Sequence, residues 1–248
     1  MRVHFLGSGG SAISAKRACP SILIDESILM DIGPGSLRNL RISAINPSRI
    51  RQVFISHLHA DHLSDLIPFL WAVQIDGRQE ELAMYGPPGF KETFHMLQEC
   101  MRTPPNFFKF PLSVHELEFG EKIGNISTCA TMHSIPTLAF RVDSASGRSF
   151  CYSADTIYCP QVAKLAKDVD LFVHEATFLE DQASIAELTR HSTARVAGQV
   201  GREAAAKRLI LFHIPPPNEH REHEFREQAA QAFGSSVVVA NDMDHFEF

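Results

Sequence analysis

No stretch of this sequence approaches the roughly 18 consecutive apolar residues of a membrane-spanning helix. A helical membrane protein is thereby excluded. Also missing is the charged segment followed by a long apolar run that marks a secretory signal. The chain opens directly on the strand-like Arg2-Val3-His4-Phe5-Leu6. No two of the five cysteines (Cys19, Cys100, Cys129, Cys151 and Cys159) are spaced as CxxC, and their number is odd. That pattern speaks against a disulfide framework and for free thiols in a reducing compartment, so a cytoplasmic protein is expected. There is no lysine–arginine block, and acidic residues outnumber basic ones by 29 to 23. At a net charge of −6, the broad basic footprint of a nucleic-acid-binding surface is not visible. No Walker motif occurs. Gly7-Ser8-Gly9-Gly10-Ser11-Ala12 fits GxGxxA after a strand, but no helix follows as a dinucleotide site requires. The chain runs instead through Lys16-Arg17 to Cys19-Pro20, so the glycines are expected to form a tight turn. Lys16 and Arg17 read as a solvated charge pair.

What is present suits one globular domain over residues 1–248. Hydrophobic residues make up 44 % and charged residues 21 %, enough for a core that needs no covalent staple. Short apolar runs over 2–6, 21–24, 28–31 and 53–55 read as strands. Gly33-Pro34-Gly35 breaks the chain before a short helix at 36–40. A helix at 63–72, interrupted by Pro68, a strand at 82–85 and a helix at 90–101 follow. The middle holds strands at 114–117, 126–131, 138–142 and 149–152, with a hairpin turn at Ser144-Ala145-Ser146-Gly147. The last third alternates: helix 161–166, strand 171–173, helix 192–206, strand 209–212, helix 219–233, strand 237–239. Such a succession predicts a layered α/β domain.

The chemistry concentrates in His57-Leu58-His59-Ala60-Asp61-His62, directly after the buried run Val53-Phe54-Ile55. Three imidazoles and a carboxylate lie within six residues. In a turn, His57 and His59 point to one side, and Asp61 and His62 to another. That arrangement suits two adjacent cations. Imidazole nitrogen with carboxylate oxygen favours zinc and also accommodates manganese or iron. Three more candidates each follow an apolar run: His133, Asp155 and His213. Taken singly, either histidine would equally serve as a core or surface residue, and Asp155 as a helix cap before Thr156.

In this order, HLHADH, His133, Ser153-Ala154-Asp155-Thr156 and Phe212-His213 resemble the metal-ligand series of the metallo-β-lactamase superfamily over nearly the whole chain. The resemblance implies an αββα sandwich, two mixed sheets flanked by helices. It implies that His57, His59 and His133 hold one divalent cation, that Asp61, His62 and His213 hold a second, and that Asp155 bridges them. Two cations would supply a hydroxide near neutral pH as nucleophile and clamp the oxygens of a displacement. Asp61 would orient the attacking water or take its proton.

His174-Glu175-Ala176-Thr177 and His191-Ser192-Thr193-Ala194 are similar to segments of ribonuclease Z and related zinc phosphodiesterases. The likeness implies a catalytic His191 that donates to the leaving oxygen or stabilises charge on the phosphorane, held by Glu175, with His174 structural. Two features differ from ribonuclease Z. That family carries an acidic residue where Ile32-Gly33-Pro34-Gly35-Ser36 stands here, and a long arm that grips transfer RNA. Only 22 positions separate His133 from Asp155, too few for such an arm. This spacing is closer to small phosphodiesterases such as the cyclic-phosphate enzymes of phosphonate breakdown, although Cys19 alone cannot build their additional cysteine-rich zinc site. The expected activity is hydrolysis of a cyclic phosphate, a small phosphodiester or an RNA 3′ end. Alternatives on the same fold are a ribonuclease Z-type transfer-RNA 3′ endonuclease, a thioester or lactam hydrolase, and a di-iron redox protein. Redox relatives carry a glutamate at the place of His59 and a flavin domain, so no flavin is expected. A homodimer is implied by the relatives alone.

Overall fold

Fourteen strands sort into two sheets of seven. In the computed structural model, which describes residues 1–248, the first sheet grows from β1 (Arg2–Gly7), β2 (Ser21–Ile24), β3 (Ile28–Met30), β4 (Gln52–Phe54), β5 (Leu82–Gly86) and β6 (Leu112–Glu116). Between these strands lie α1 (Ser36–Ile42), α2 (Ala60–Leu63), α3 (Leu66–Ile75) and α4 (Phe90–Cys100). The second sheet grows from β7 (Lys122–Ile123), β8 (Ile126–Ala130), β9 (Leu138–Asp143), β10 (Ser149–Tyr152), β11 (Leu171–Glu175), β12 (Leu209–Phe212) and β13 (Val237–Val239). It alternates with α5 (Pro160–Leu165), α6 (Ala183–Thr189), α7 (Ala194–Glu203) and α8 (Glu222–Phe233). The last strand, β14 (His245–Glu247), returns to the first sheet and pairs antiparallel with β1.

The spatial orders are β14-β1-β2-β3-β4-β5-β6 and β13-β12-β11-β10-β9-β8-β7. Neighbours from β3 to β6 and from β10 to β13 are parallel, and their crossovers run through the helices. Helices therefore cover the outer faces. β10, β11 and β12 are buried at every residue, as expected for parallel strands with both faces covered. Phe5, Phe54, Phe140, Phe150, Tyr152 and Phe212 fill the space between the sheets. A second apolar layer joins the first sheet to α3 and α4, and a third joins the other sheet to α5, α7 and α8. The expected αββα sandwich is observed.

Local differences have physical reasons. The helix expected at 63–72 begins at Leu66, so Pro68 falls in its first turn, where its missing N–H costs nothing. A separate turn of helix, α2, carries Asp61 and His62. Helix α7 starts later than 192, because Thr193 caps it by accepting from Val196 N at 3.3 Å. Pro215, Pro216 and Pro217 delay α8, and residues Pro216–Arg221 form a 3-10 turn instead. The seven-residue α6 was not expected. It leaves Ile185 and Leu188 exposed and carries no apolar stripe to betray it. Arg17 is the clearest correction: it is not solvated but only 1 % exposed, bonded to Ser8, Glu222, Asn241 and the Ala240 carbonyl. No helix is long and apolar enough to cross a membrane.

Candidate metal centre

All the sequence-predicted donors meet at one end of the sandwich. His57 and His59 follow β4, and Asp61 and His62 lie in α2. His133 follows β8, Asp155 follows β10, Glu175 ends β11, and His213 follows β12. These are carboxyl ends of strands, where α/β sheets bind ligands. Three non-glycine residues with positive φ turn the chain there: Asp31 (55°), Ala154 (51°) and His213 (66°). Such conformations cost about 1–3 kcal/mol each and cluster at functional sites.

The donors form two groups that share Asp155 Oδ2. In the first, His57 Nε2 lies 3.1 Å from His59 Nδ1, which lies 3.2 Å from His133 Nε2. Asp155 Oδ2 is 3.5 Å from His57 Nε2 and 3.8 Å from His133 Nε2. In the second, His213 Nε2 lies 3.3 Å from both His62 Nε2 and Asp61 Oδ2, which are 3.6 Å apart. There Asp155 Oδ2 is 3.4 Å from His62 and 3.5 Å from His213. A tetrahedral cation with ligands at about 2.0–2.1 Å has donor–donor edges of about 3.3 Å. The edges of the second group, 3.3–3.6 Å, lie close to that figure, and those of the first run from 3.1 to 3.8 Å. Both groups are consistent with a metal site, and His191 forms a further group with Asp155 and His213.

The hydrogen bonds behind the imidazoles support the same conclusion. His133 Nδ1 lies 2.9 Å from the Arg190 carbonyl and must donate to it. His62 Nδ1 likewise faces Asp31 Oδ2 at 2.8 Å. Ser56 Oγ donates its only proton to Asp31, so at 3.0 Å it accepts from His57 Nδ1. Thr177 Oγ1 donates to Glu175, so at 2.8 Å it accepts from His213 Nδ1. In each neutral ring the Nε2 lone pair is then left pointing inward, as a cation requires. Asp155 Oδ1 is also buried without a hydrogen-bond partner.

The protein's own charges tune these groups. Burial holds His57, His59 and His133 below the ordinary histidine value. Burial also opposes charge on His62, but Asp155 and Asp31 outweigh it and push this imidazole well up. Burial would raise Asp155, yet the surrounding His213, His62 and His57 hold it well below the usual carboxylate range.

His191 packs against both groups. Its ring stacks on His213 at 5.2 Å and meets His133 edge-on at 5.0 Å. Nδ1 is 3.0 Å from Glu175 Oε1. Burial lowers its pKa, but the charge and hydrogen bond of Glu175 overcome this and raise it to about 9. Period-two alternation separates the two neighbours on β11. Glu175 faces the site, whereas His174 turns to the other face, edge-on to Phe172 and away from the donors.

Asp31, Ser56 and Thr177 join the site only through the fold, although Asp31 carries a visible signal in the sequence. Like Asp155, it is a carboxylate just past an apolar strand, and it accepts from Ser56, His62 and the Tyr152 hydroxyl. Two glycines are there for space. A Cβ on Gly33 would lie 1.8 Å from the Asp61 carbonyl, and one on Gly10 would lie 2.2 Å from His213 Nδ1. The expected tight turn at Gly7–Gly10 thus lies against the centre.

Residues 26–214 match the sequence profile of the beta-lactamase superfamily domain. The chain belongs to the metallo-β-lactamase superfamily, on its ribonuclease Z-like branch. The ribonuclease Z of Acaryochloris marina (strain MBIC 11017) is 28 % identical over 274 aligned positions, covering 87 % of this chain and 86 % of that one. About 216 residues of this chain (87 % of 248) lie in those 274 positions, so 274 − 216 = 58 positions or so are occupied in the relative alone. Two solved structures share the superfamily fold. The metallo-beta-lactamase fold protein YhfI of Bacillus subtilis superposes with a TM-score of 0.85 at 24 % identity, covering 100 % of this chain and 99 % of that one. Human tRNase Z, short form, superposes with a TM-score of 0.82 at 23 % identity and the same coverage. Family and donor cluster together make this metallo-β-lactamase-fold chain a metal-dependent hydrolase related to ribonuclease Z.

Proposed function

We propose that the chain is a phosphodiesterase that uses two divalent cations, zinc by ligand preference, to cleave a small phosphodiester or an RNA-derived one. The observation that carries this reading is the His191–Glu175 pair beside the shared donor cluster, a cationic donor where a leaving oxygen needs one. His57, His59 and His133 would hold one cation, and Asp61, His62 and His213 the other, with Asp155 between them. When bound, the cations supply a water of lowered pKa and neutralise charge on the phosphoryl oxygens. Asp61 would orient the attacking water and receive its proton. His191, protonated and fixed through Nδ1 by Glu175, donates its Nε2 proton to the departing alkoxide as the P–O bond breaks. The products are a phosphomonoester and an alcohol. A hollow of about 250 Å³ beside His191, walled by Ile157, Ala183, Ala186 and Val196 with Glu180 and Glu187, presents no lysine or arginine to a long polyanion. That favours a small substrate.

A second reading, transfer-RNA 3′ processing, is favoured by the 28 % identity to ribonuclease Z. The tight β9–β10 hairpin between His133 and Asp155 counts against it, since no arm projects there. The deciding experiment is turnover of bis(p-nitrophenyl) phosphate by metal-loaded protein, beside Asp61→Ala protein, a transfer-RNA precursor and a thioester. Phosphodiester cleavage that is lost in Asp61→Ala supports the proposal. Metal-loaded protein that cleaves only the thioester overturns it.

A further inference from the structure

The superfamily match spans residues 26–214, yet the second donor group is braced by residues on either side of that span. Asp242, past β13, is the hub. Its Oδ1 accepts from Ser8 N at 2.9 Å and Ser8 Oγ at 2.8 Å. Its Oδ2 accepts from Ala18 N at 2.7 Å and from Asn39 Nδ2 at 2.8 Å. Four donors thus close one carboxylate, and the buried Arg17 locks the same serine by donating to Ser8 Oγ at 2.6 Å.

Ser8 hands this restraint directly to the site. Its carbonyl accepts from His213 N at 3.1 Å and Ile214 N at 3.3 Å, at the point where His213 holds a left-handed conformation. Two residues on, Gly10 N donates to the Ile214 carbonyl, and its missing side chain makes room for the His213 ring. Ser11 N then donates to Asp61 Oδ2 at 2.8 Å. These contacts go to Asp61, to His213 and to the next residue, Ile214, and Asp61 and His213 are both donors of the second group. The first group is braced from elsewhere, by Ser56 and the Arg190 carbonyl.

We infer that Asp242, acting through Ser8, is a positioning residue for the Asp61–His62–His213 group and sets its cation affinity separately from that of the His57–His59–His133 group. The inference rests on the two-cation reading above. Asp242→Asn keeps the shape but sets an amide NH₂ against backbone or side-chain donors. The loop then loses its hub, the Ser8 carbonyl is freed, and His213 and Asp61 lose their fixed placement. Outer partners of metal ligands are worth about 10- to 100-fold in affinity.

The test is titration of metal-free protein with Zn²⁺ by calorimetry and with Co²⁺ by absorption, on wild type, Asp242→Asn, Ser8→Ala and Arg78→Met. Arg78 is a buried arginine that holds the Ser48, Glu80 and Glu81 carbonyls, away from the donors. Wild type is expected to take up two equivalents. Asp242→Asn should keep one affinity unchanged and weaken the other about 10- to 100-fold. Ser8→Ala should weaken the same equivalent by a smaller factor, while Arg78→Met lowers Tm and leaves both intact. Two unchanged affinities in folded Asp242→Asn, or equal loss of both, overturn the inference. Should Asp242→Asn fail to fold, Ser8→Ala decides by the same criterion. Wild type that takes up a single equivalent overturns the two-cation reading itself.

Discussion

Nδ1 of His191 stands 3.0 Å from Oε1 of Glu175, and the Glu175 carboxylate also accepts from Thr156 N, Ser192 N, Thr177 N and Thr177 Oγ1. This carboxylate is therefore both immobile and ionised. Burial would raise its pKa, but the charge and hydrogen bond of His191 hold it low. His191 in turn keeps its proton up to about pH 9.

Loss of that proton donor should depend on the leaving group. His191→Ala is expected to slow an alkyl phosphodiester by about 10²- to 10⁴-fold and a p-nitrophenyl ester much less. Equal losses on both, measured as kcat, would count against the acid role.

Glu175→Gln should move the alkaline limb of the pH–rate profile to lower pH, because His191 loses the charge that raises it. Stability shifts in the same sense. A histidine raised from 6.5 to about 9 contributes stability that is fully present below 6.5 and lost as pH rises through 9. The metal-free wild type should therefore lose Tm between these values, and Glu175→Gln protein should lose less.

Cation uptake should release protons. His62 lies between Asp31 and Asp155 and is held well above its ordinary value, so a cation at Nε2 must displace a proton. Calorimetry at pH 7 in two buffers of different ionisation enthalpy should report release of about one proton. Asp31→Asn should reduce this release, since Asp155 still raises His62, and weaken binding about 10- to 100-fold.

Metal content should separate the shared ligand from the unshared one. Asp155→Ala is expected to retain almost no cation after dialysis, since both groups use its Oδ2. Asp61→Ala should retain the cation of the His57–His59–His133 group. Elemental analysis of the two proteins checks both outcomes.

Much of this architecture is legible in the residues alone. The runs at 149–152, 209–212 and 237–239 are apolar on both faces and end at turn residues, so their bounds coincide with β10, β12 and β13. HLHADH betrays its chemistry by density, and His133, Asp155 and His213 by following strands. What escapes such reading depends on distance along the chain. β14 is visible only once β1 is there to pair with it, 245 − 4 = 241 positions away at His4 and His245. Arg17 resembles any loop arginine until Ser8, Glu222 and Asn241 converge on it. Asp31 reads as the last residue of a strand, and only the fold brings it under His62.

The donors come from both sheets: His57, His59, Asp61 and His62 from the segment after β4 in one, and His133, Asp155 and His213 from strand ends of the other. Each of the two groups draws ligands from both. A bound cation would therefore act as a rivet across the seam of the sandwich, adding to the apolar packing, the polar links such as Tyr152–Asp31 and Ser8–His213, and the β14 return that already fasten the halves. Chelation would loosen the molecule where it must hold its substrate. Mechanical integrity and catalytic competence would then be lost by one and the same event.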